Sequence, residues 1–405
     1  MEAGSAAESR YIKTNTAKYW TAIFIIFLGS MAAFGAEYCV QPLIPVIAKD
    51  FNLDPATGSL AVSAGLLGMA IAMLFIAGIG PRLDRKKVTA FALMVSAILT
   101  IVIGSSDNFY WILAFRFVQG VILAAFPSLM IAYINEEFEP SNIGSVLGIY
   151  IGGNAIGGLV GRLVVSAVTD WFNWRIGLLS IGVLYVVIGL VVLFFLPRPR
   201  FQRQMTKEGL HFWKIIGSIL HNKRLLLVYA IAFCAMGSFV SVYNFITYVL
   251  LHEPYNLSQT VIGFLFFTYL VGTFSSAYMG RKTDSLGNGK VVGISVILAI
   301  IGLAVTLFTP LWCKILGLVI FTFGFFGCHT GACGWVGRLN NGDKASSSSL
   351  YMFFYYTGAS TLGTAGGYFL LHYGWGGVVA MTGAAELLCL AFLAMIMGSL
   401  KIKPC

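Results

Sequence analysis

The chain has few charged residues: they make up only 10% of its 405 positions, whereas about 25% is usual in soluble globular proteins. Its hydrophobic fraction is 58% and its mean hydropathy is +0.85. These values argue against a soluble enzyme, a nucleic-acid-binding module or a disordered protein. Twelve helices of about 20 residues, the length that crosses a bilayer, would use roughly 240 residues. The rest suffices for loops but not for a separate soluble domain.

The chain also lacks motifs for catalysis or for metal binding. We find no HExxH motif, no phosphate-binding loop and no CxxC pair. The cysteines number seven, an odd count, and most of them lie inside apolar runs. We expect them to be small buried hydrophobic residues rather than a disulfide or zinc framework. The sequence therefore predicts no enzyme activity, no metal site and no cofactor.

Long apolar runs are abundant. Twelve can be drawn, the first near residues 19–45 and the last near 376–399. Each should be a helix, because a lipid-exposed backbone must satisfy its own hydrogen bonds. The first run is too long for a signal-peptide core and is followed by further runs, so we expect it to be retained. The predicted units are a tail (1–18), a six-helix bundle (19–196), a basic linker (197–224), a second bundle (225–400) and a short tail (401–405).

Lysine and arginine predict the orientation of these helices. With the amino terminus inside the cell, 21 of the 26 basic residues fall on the inner side and three on the outer side. The other two, Arg116 and Arg162, lie within helices. The bias predicts that both termini are cytoplasmic. The net charge of +10 then faces the anionic inner leaflet, and a nucleic-acid partner is not needed to explain it.

The two halves of the chain resemble each other. A shift of 203 residues places Leu83 on Leu286 and Lys87 on Lys290. A shift of 205 residues places Tyr150 on Tyr355, and several glycines coincide at the same offset. Two pseudo-symmetric six-helix bundles are typical of alternating-access transporters, with the substrate site between the halves near mid-membrane.

Several segments carry a family resemblance. The segment Gly280–Lys290 resembles the loop motif of the major facilitator superfamily, Arg116–Gly120 resembles its fourth-helix motif, and Gly152–Gly161 resembles its fifth-helix antiporter motif. The segments Tyr38–Pro42, Gly157–Arg162 and Asp170–Arg175 are similar to the YnfM-type inner-membrane transporters of the drug–proton antiporter branch. The resemblance covers nearly the whole chain. It implies the fold of that superfamily, a monomer in the inner membrane, and efflux of a small molecule.

We therefore expect proton-coupled efflux of a small amphipathic organic molecule by alternating access. The partners would be that molecule, protons and the lipid bilayer. An alternative stays open at this point: the same fold could serve a proton symporter or a facilitator that imports a small metabolite.

Glu37 and Arg116 are the candidates for proton coupling. A carboxylate in a membrane helix usually faces a cavity or a partner, because burying it alone is costly. Arg116 would pair with Glu37 when the carboxylate is charged, and protonation would release the pair. The alternatives are a fixed ion pair for Glu37 and a permanent hydrogen-bonding post for Arg116. A second buried acid, Glu386, fits a structural role as well as proton transfer.

The candidate substrate-binding residues are polar or aromatic groups within helices: Gln41, Asn154, Arg162, Tyr243, Asn244, His329 and Tyr355. Arg162 would attract an anionic group, or alternatively extend outward to the interface. The tyrosines suit flat or cationic ligands, although most aromatic rings in such a chain pack against neighbours. His329 is a titratable candidate, and a packed hydrogen-bond donor is the alternative.

The candidate gating residues are Arg85, Asp284, Gly287, Gly157 and Gly161. In the family that the chain resembles, the two loop motifs latch the cytoplasmic side. The first-half loop departs from the motif, with Pro81 and Asp84 in place of the usual acid and glycine. We therefore expect the second-half loop, with Asp284, to contribute more than the first-half loop to closing the cytoplasmic side. The helix-5 glycines would form a sliding contact or a static packing surface.

The orientation can be tested with reporter fusions in bacteria. We expect green fluorescent protein fused after residue 405 to fluoresce, because it folds on the cytoplasmic side. Alkaline phosphatase fused in the first-half loop at residues 105–108 should be active, because that loop would lie outside. The reverse pattern of reporter activities would contradict cytoplasmic termini.

Overall fold

The computed structural model describes residues 11–79, 83–199, 217, 219–339 and 344–401. These residues are almost entirely helical. Residues 1–10 of the predicted N-terminal tail, residues 80–82 of the first loop motif with Pro81, most of the predicted linker and residues 402–405 lie outside the described residues.

The described helices fall into two sets of six. The first half contains α1 (Ala17–Asp50), α2 (Pro55–Ile79), α3 (Arg85–Gly104), α4 (Phe109–Glu137), α5 (Ile143–Trp171) and α6 (Trp174–Phe195). The second half contains α7 (Lys223–Leu251), α8 (Gln259–Leu286), α9 (Asn288–Val305), α10 (Leu311–Leu339), α11 (344–373) and α12 (375–401). Within the described ranges, the prediction of an all-helical membrane protein is confirmed.

The helices α11 and α12 form one run that is broken at Gly374. Gly374 has φ 62° and ψ −159°, a backbone conformation that residues with a Cβ atom rarely adopt. The apolar part of the combined run, Ser346–Gly398, contains 53 residues. A straight helix of that length would extend about 80 Å, whereas the hydrocarbon core is about 30 Å thick. The glycine therefore divides the run into two membrane-spanning helices.

The first helix, α1, is interrupted where prolines occur. In α1, the segment Ala17–Tyr38 is followed by a 3-10 turn at Gln41–Leu43 and then by Ile44–Asp50. Pro42 and Pro45 remove backbone N–H donors in this region. The run at 19–45, predicted to be continuous, is therefore broken near Cys39. The break lies between Glu37 and Gln41, so the two side chains need not share one helical face.

Packing joins the helices first within each half and then between the halves. In the first half, α1 packs on α5, α2 on α4 and α3 on α6; in the second half, α7 packs on α11 and α9 on α10. The halves meet where α2 contacts α11 and where α5 contacts α8. Helices α2, α5, α8 and α11 therefore form the main contacts between the halves.

Glycines bring α1 and α5 into close backbone contact. A Cβ added to Gly157 would overlap the Met31 backbone, and one added to Gly161 would lie 2.9 Å from the Gly35 Cα atom. In contrast, a Cβ added to Gly152 would meet no atom within 4 Å. The glycine surface predicted on helix 5 therefore packs directly on α1, the helix that carries Glu37.

The six described cysteines are all free thiols, and five of them are buried. Cys333 is the exposed one. Within the described residues no disulfide links helices, which agrees with their interpretation as small packed side chains.

The close packing can be tested at Gly157, with Gly152 as the matched control. Gly157→Ala should lower the free energy of unfolding by about 1–3 kcal/mol, because its methyl group overpacks the α1–α5 contact. Gly152→Ala should change it little or raise it slightly, since alanine favours helix. Thermal unfolding in detergent would measure both variants. Equal effects of the two substitutions would contradict the close contact.

Candidate functional site

Arg116 on α4 is the most heavily bonded side chain of the first half. It is fully buried, and its Nε donates to the Ala61 carbonyl of α2 at 2.9 Å. Its two terminal nitrogens donate to the carbonyls of Ala36 at 3.2 Å and of Glu37 at 2.6 Å, both on α1. The guanidinium group thereby joins three helices through backbone groups. This arrangement matches the hydrogen-bonding post that was one of the two sequence-based alternatives.

Gln119 extends this network to α3. Its Oε1 accepts a hydrogen bond from Arg116, and its Nε2 donates to the Ser96 carbonyl at 2.9 Å and to the Thr100 hydroxyl at 2.8 Å. Sequence analysis quoted Gln119 only as part of a family motif and gave it no role. Its spacing of three residues from Arg116, which places both on one helical face, was the available signal.

Glu37 is held more loosely than its partner. Its Oε1 lies 3.4 Å from an Arg116 terminal nitrogen, whereas its Oε2 has no hydrogen-bond partner. The side chain is nevertheless buried. Gly65 on α2 leaves room for the pair, since a Cβ there would lie 2.7 Å from Glu37 Oε1. The carboxyl group can therefore change its proton occupancy without breaking the backbone bonds of Arg116.

Glu37 also lines a cavity between the halves. The cavity is small, about 10 Å³, which is room for roughly one water molecule. Its wall combines side chains of α1, α2, α4 and α11, including Phe34, Tyr38, Met69 and Tyr356. Most of that wall is apolar or aromatic. Among the described residues that line it, Glu37 is the one with an acidic side chain.

Arg162 on α5 forms a second buried cationic site. It is 1% exposed, and its Nε and one terminal nitrogen both donate to Gln41 Oε1, at 3.0 and 2.8 Å. Its other terminal nitrogen donates to the Gly158 carbonyl at 2.7 Å. The guanidinium carbon lies 4.6–4.7 Å from the ring centres of Tyr38, Phe266 and Tyr269. Arg162 therefore points into the protein in this structure and does not extend to the membrane interface.

Gln41 connects Arg162 to the second half. Its Nε2 donates to Asn244 Oδ1 at 2.9 Å, and the Asn244 amide reaches the Gly363 carbonyl at 3.4 Å. Gln41 and Asn244 are separated by 203 residues, the offset of the internal repeat. The two amides thus occupy equivalent positions and meet between the halves. Three of the predicted substrate residues, Gln41, Arg162 and Asn244, are brought together here.

The other predicted substrate residues lie elsewhere. His329 Nδ1 lies 2.9 Å from the Tyr351 hydroxyl, and its ring packs 4.7 Å from that of Tyr355. Both His329 and Tyr355 line a narrow gap within the second half that is too small to hold a water molecule. Tyr243 is buried, and its hydroxyl lies 2.6 Å from those of two threonines, Thr268 and Thr322.

Asn154 is not part of either cluster. It is half-buried on α5, about two turns before Arg162, and its Oδ1 has no hydrogen-bond partner. Glu386 on α12 is fully buried, and its Oε1 also has no partner. Among the described residues, no group of three or more histidine, cysteine or acidic side chains could hold a metal ion.

Polar contacts close the side of the protein opposite the termini. Asp170, at the end of α5, accepts the backbone N–H groups of Gln259 and Thr260 at the start of α8, at 2.9 and 2.7 Å. The Gln259 amide donates to the Pro42 carbonyl of α1 at 2.6 Å. Sequence analysis named Asp170 only within a family segment. Its position at a predicted helix end was a weak signal for this contact.

The helices α2 and α11 make similar contacts. The Ser63 and Thr364 hydroxyls lie 2.7 Å apart, and Ser360 donates to the Ser63 carbonyl at 2.9 Å. These hydrogen bonds between the halves also lie on the side opposite the termini.

The loop-motif residues form two ion pairs of different character. Arg85 is buried, and its guanidinium lies 3.0 Å from Glu136 at the end of α4. Arg338 and Asp284 lie 3.3 Å apart, but they are 57% and 79% exposed. The geometry therefore favours the first-half pair, contrary to the ranking predicted from sequence. The reason is local: Asp84 caps α3 by accepting the Lys87 N–H, so the helix starts at Arg85 and directs it toward α4.

Gly287 ends α8 in a left-handed conformation, with φ 80°. Glycine adopts this φ without the steric penalty that a Cβ carries. The residue therefore serves the turn between α8 and α9.

Comparison with known proteins identifies the fold. The sequence model of the Major Facilitator Superfamily matches residues 26–333. The MFS-type transporter YybF of Bacillus subtilis is 36% identical over 393 residues, which cover 97% of each chain. The inner membrane transport protein YnfM of Escherichia coli is also 36% identical, over 92% of this chain and 89% of its own.

Solved structures show the same architecture. A bacterial homologue of the human lysosomal transporter Spinster, in an inward-facing conformation, matches with a TM-score of 0.74 at 14% identity, over 95% of this chain and 96% of its own. The nucleoside transporter NupG matches with a TM-score of 0.74 at 16% identity, over 94% and 99%. At such low identity these two matches establish the fold alone.

The unequal ion pairs can be tested by comparing Arg85→Ala with Asp284→Asn. Arg85→Ala should lower the free energy of unfolding by about 1–3 kcal/mol, because it leaves Glu136 without its charged partner in a largely buried site. Asp284→Asn should cost under about 1 kcal/mol, because its pair is exposed to solvent. Denaturation in detergent measures both. A larger effect of Asp284→Asn would restore the ranking predicted from sequence.

Proposed function

The chain belongs to the Major Facilitator Superfamily, and on that basis we propose that this secondary transporter exports a small amphipathic organic molecule in exchange for protons. Membership of this family and relatives named as transporters make it a multi-pass membrane transporter and not an enzyme. The proposal adds the direction and the proton coupling. The observation that carries it is the loosely held Glu37 carboxyl on the wall of the cavity between the halves.

The coupling group has to change charge while the bundle around it stays intact. Arg116 keeps three backbone carbonyls as partners whatever the charge of Glu37. The carboxyl group has one contact of 3.4 Å and one oxygen without a partner. Protonation of Glu37 therefore removes a single ionic contact. The neutral carboxyl is also the form that a low-dielectric site favours.

Exchange follows from the shared location of proton and substrate. The cavity would have to widen to admit an organic molecule, and the molecule would then contact Glu37 along with the aromatic side chains of Phe34, Tyr38 and Tyr356. The substrate and the proton would then compete for one site, which is the condition for antiport. Because the wall is largely apolar, it suits an organic molecule with a flat hydrophobic part.

Alternating access requires contacts between the halves that can open and close. The contacts through Asp170, Gln259 and Ser63 close the side opposite the termini. Transport requires these contacts to open while the termini side closes, in the manner of alternating access. We propose the inner membrane as the location, with cytoplasmic termini and a single chain as the working unit.

The coupling can be measured in proteoliposomes that contain an internal pH dye. Tetraphenylphosphonium, benzoate and benzamide would serve as cationic, anionic and neutral probes. We expect at least one probe to drive proton movement in the wild type, and Glu37→Gln to lose it while exchange of the probe continues. Glutamine keeps the shape of the side chain but cannot release a proton.

Glu386→Gln is the matched control, because it removes the second buried carboxyl without touching the cavity at Glu37. We expect this variant to retain proton movement. Wild-type proton flux in Glu37→Gln, or its loss only in Glu386→Gln, would refute the assignment. Probe movement without proton flux in the wild type would favour the alternative of a facilitator.

A further inference from the structure

The charge of Arg162 is not balanced by an acid in the part of the chain that the structure describes. All the contacts that hold it are uncharged: the Gln41 amide, the Gly158 carbonyl and the rings of Tyr38, Phe266 and Tyr269. Arg116, another buried arginine of the first half, has the carboxyl of Glu37 as a charged partner. A buried guanidinium without a counter-ion is costly, and such residues in membrane helices commonly mark ligand sites.

The contact with Gln41 resembles the binding of a carboxylate. The Nε and one terminal nitrogen of Arg162 converge on the single Oε1 of Gln41, at 3.0 and 2.8 Å. This edge of a guanidinium group is the one that a carboxylate binds with two parallel hydrogen bonds. The amide offers one neutral oxygen where a carboxylate would offer two oxygens and a negative charge.

We propose that Arg162 is the binding site for the carboxylate of an organic anion, which takes the place of the Gln41 amide during transport. This inference rests on the proposed transport function and names its substrate class. The three rings around the guanidinium provide apolar surface for the rest of the molecule. A flat, preferably aromatic, monocarboxylate fits both features.

The neighbourhood of Arg162 also discriminates against the opposite charge. An organic cation in this position would meet an arginine that lacks an acidic partner, so repulsion would add to the loss of hydration. The aromatic rings that suit a cation are already in contact with the guanidinium group. The rings of Tyr38, Phe266 and Tyr269 are therefore assigned to a flat anion rather than to a cation.

Tyr38 provides the route from the cavity to the arginine. Its side chain lines the cavity beside Glu37, and its ring centre lies 4.7 Å from the Arg162 guanidinium carbon. Rotation of this ring would join the cavity to the arginine. The anion would then occupy the same region of the protein as Glu37, with its carboxylate at Arg162.

Anion binding would also act on the closed side. Gln41 uses its oxygen for Arg162 and its nitrogen for Asn244 of the second half. An anion that displaces the oxygen removes the support that orients this amide. The contact between the halves at Gln41 and Asn244 is thereby weakened when substrate binds. Substrate binding and opening of the closed side are linked through one side chain.

The test uses three probes of the same shape and different charge: benzoate, benzamide and benzamidine. Binding is measured as the rise in Tm of the purified full-length protein in detergent, at neutral pH and without a gradient. We expect benzoate to raise the Tm in a concentration-dependent manner. Benzamide and benzamidine should have little effect, because neither brings a negative charge to Arg162.

Two variants address the site itself. Arg162→Gln should weaken benzoate binding by about tenfold or more, as expected when a charged hydrogen-bonding partner is removed. Gln41→Glu should also abolish the benzoate effect, because the new carboxylate occupies the guanidinium group permanently. This variant should keep or raise the basal Tm, so loss of binding in it cannot be ascribed to misfolding.

Arg175→Gln is the matched control. Arg175 pairs with Asp50 and Asp107 at 3.3 and 3.2 Å, away from the cavity. We expect it to retain the benzoate effect. Equal Tm shifts from the three probes, no shift from benzoate in the wild type, or an undiminished shift in Arg162→Gln or Gln41→Glu would each overturn the proposal.

The measurement is independent of proton coupling. Glu37→Gln should still bind benzoate, although proton flux is expected to be lost in proteoliposomes. A benzoate shift that depends on Arg162 would therefore support the anion site even if the antiport proposal failed. Loss of the benzoate shift in Glu37→Gln but not in Arg162→Gln would instead overturn the assignment of the anion to Arg162.

Discussion

A charged group inside the bundle has no water to solvate it, so it must be satisfied by the helices around it. Arg116 shows the consequence. Its guanidinium binds carbonyl groups of α1 and α2, and Gln119 extends the bonds to α3. These two side chains therefore join four helices of the first half, α1 to α4. Glu37 contributes only one long contact to this network. A change in its charge would therefore leave the other contacts of Arg116 in place.

The two halves share an arrangement of six helices but differ in the residues at equivalent buried positions. The repeat offset that places Gln41 on Asn244 places Glu37 on Val240, and the offset of 205 places Arg162 on Gly367. At these two positions the second half has neutral residues, and the nearby Tyr243 hydroxyl lies between two threonines. Proton and anion chemistry is therefore assigned to the first half. The second half supplies aromatic surface and the partner amide at the interface.

Sequence reasoning identified many of the chemically important side chains but not how they group. The polar residues within apolar runs stood out individually: Glu37, Gln41, Arg116 and Arg162. The repeat offset of 203 would have paired Gln41 with Asn244 if it had been applied to that position. The rings around Arg162 could not have been chosen in the same way, because aromatic residues are 14% of the chain and most of them only pack.

The ranking of the loop ion pairs depends on how buried each pair is, which the sequence does not show. A motif departure at Pro81 and Asp84 suggested a weak first loop, yet Asp84 caps α3 and Arg85 is buried against Glu136. The better-matching second loop has its acid on the surface. Motif similarity describes residue types, whereas the strength of an ion pair depends on the solvent around it.

The sequence by itself determined that the chain is an all-helical membrane protein, and it predicts the orientation of the bundle and two related halves. These properties depend on composition and on spacing along the chain, which the bilayer constrains directly. Only the tertiary structure decided which side is closed, that Gln41 bridges Arg162 and Asn244, and that Glu37 keeps an oxygen without a partner. Those features arise where distant helices meet, because burial and hydrogen-bond geometry are set by packing across the halves rather than by local sequence.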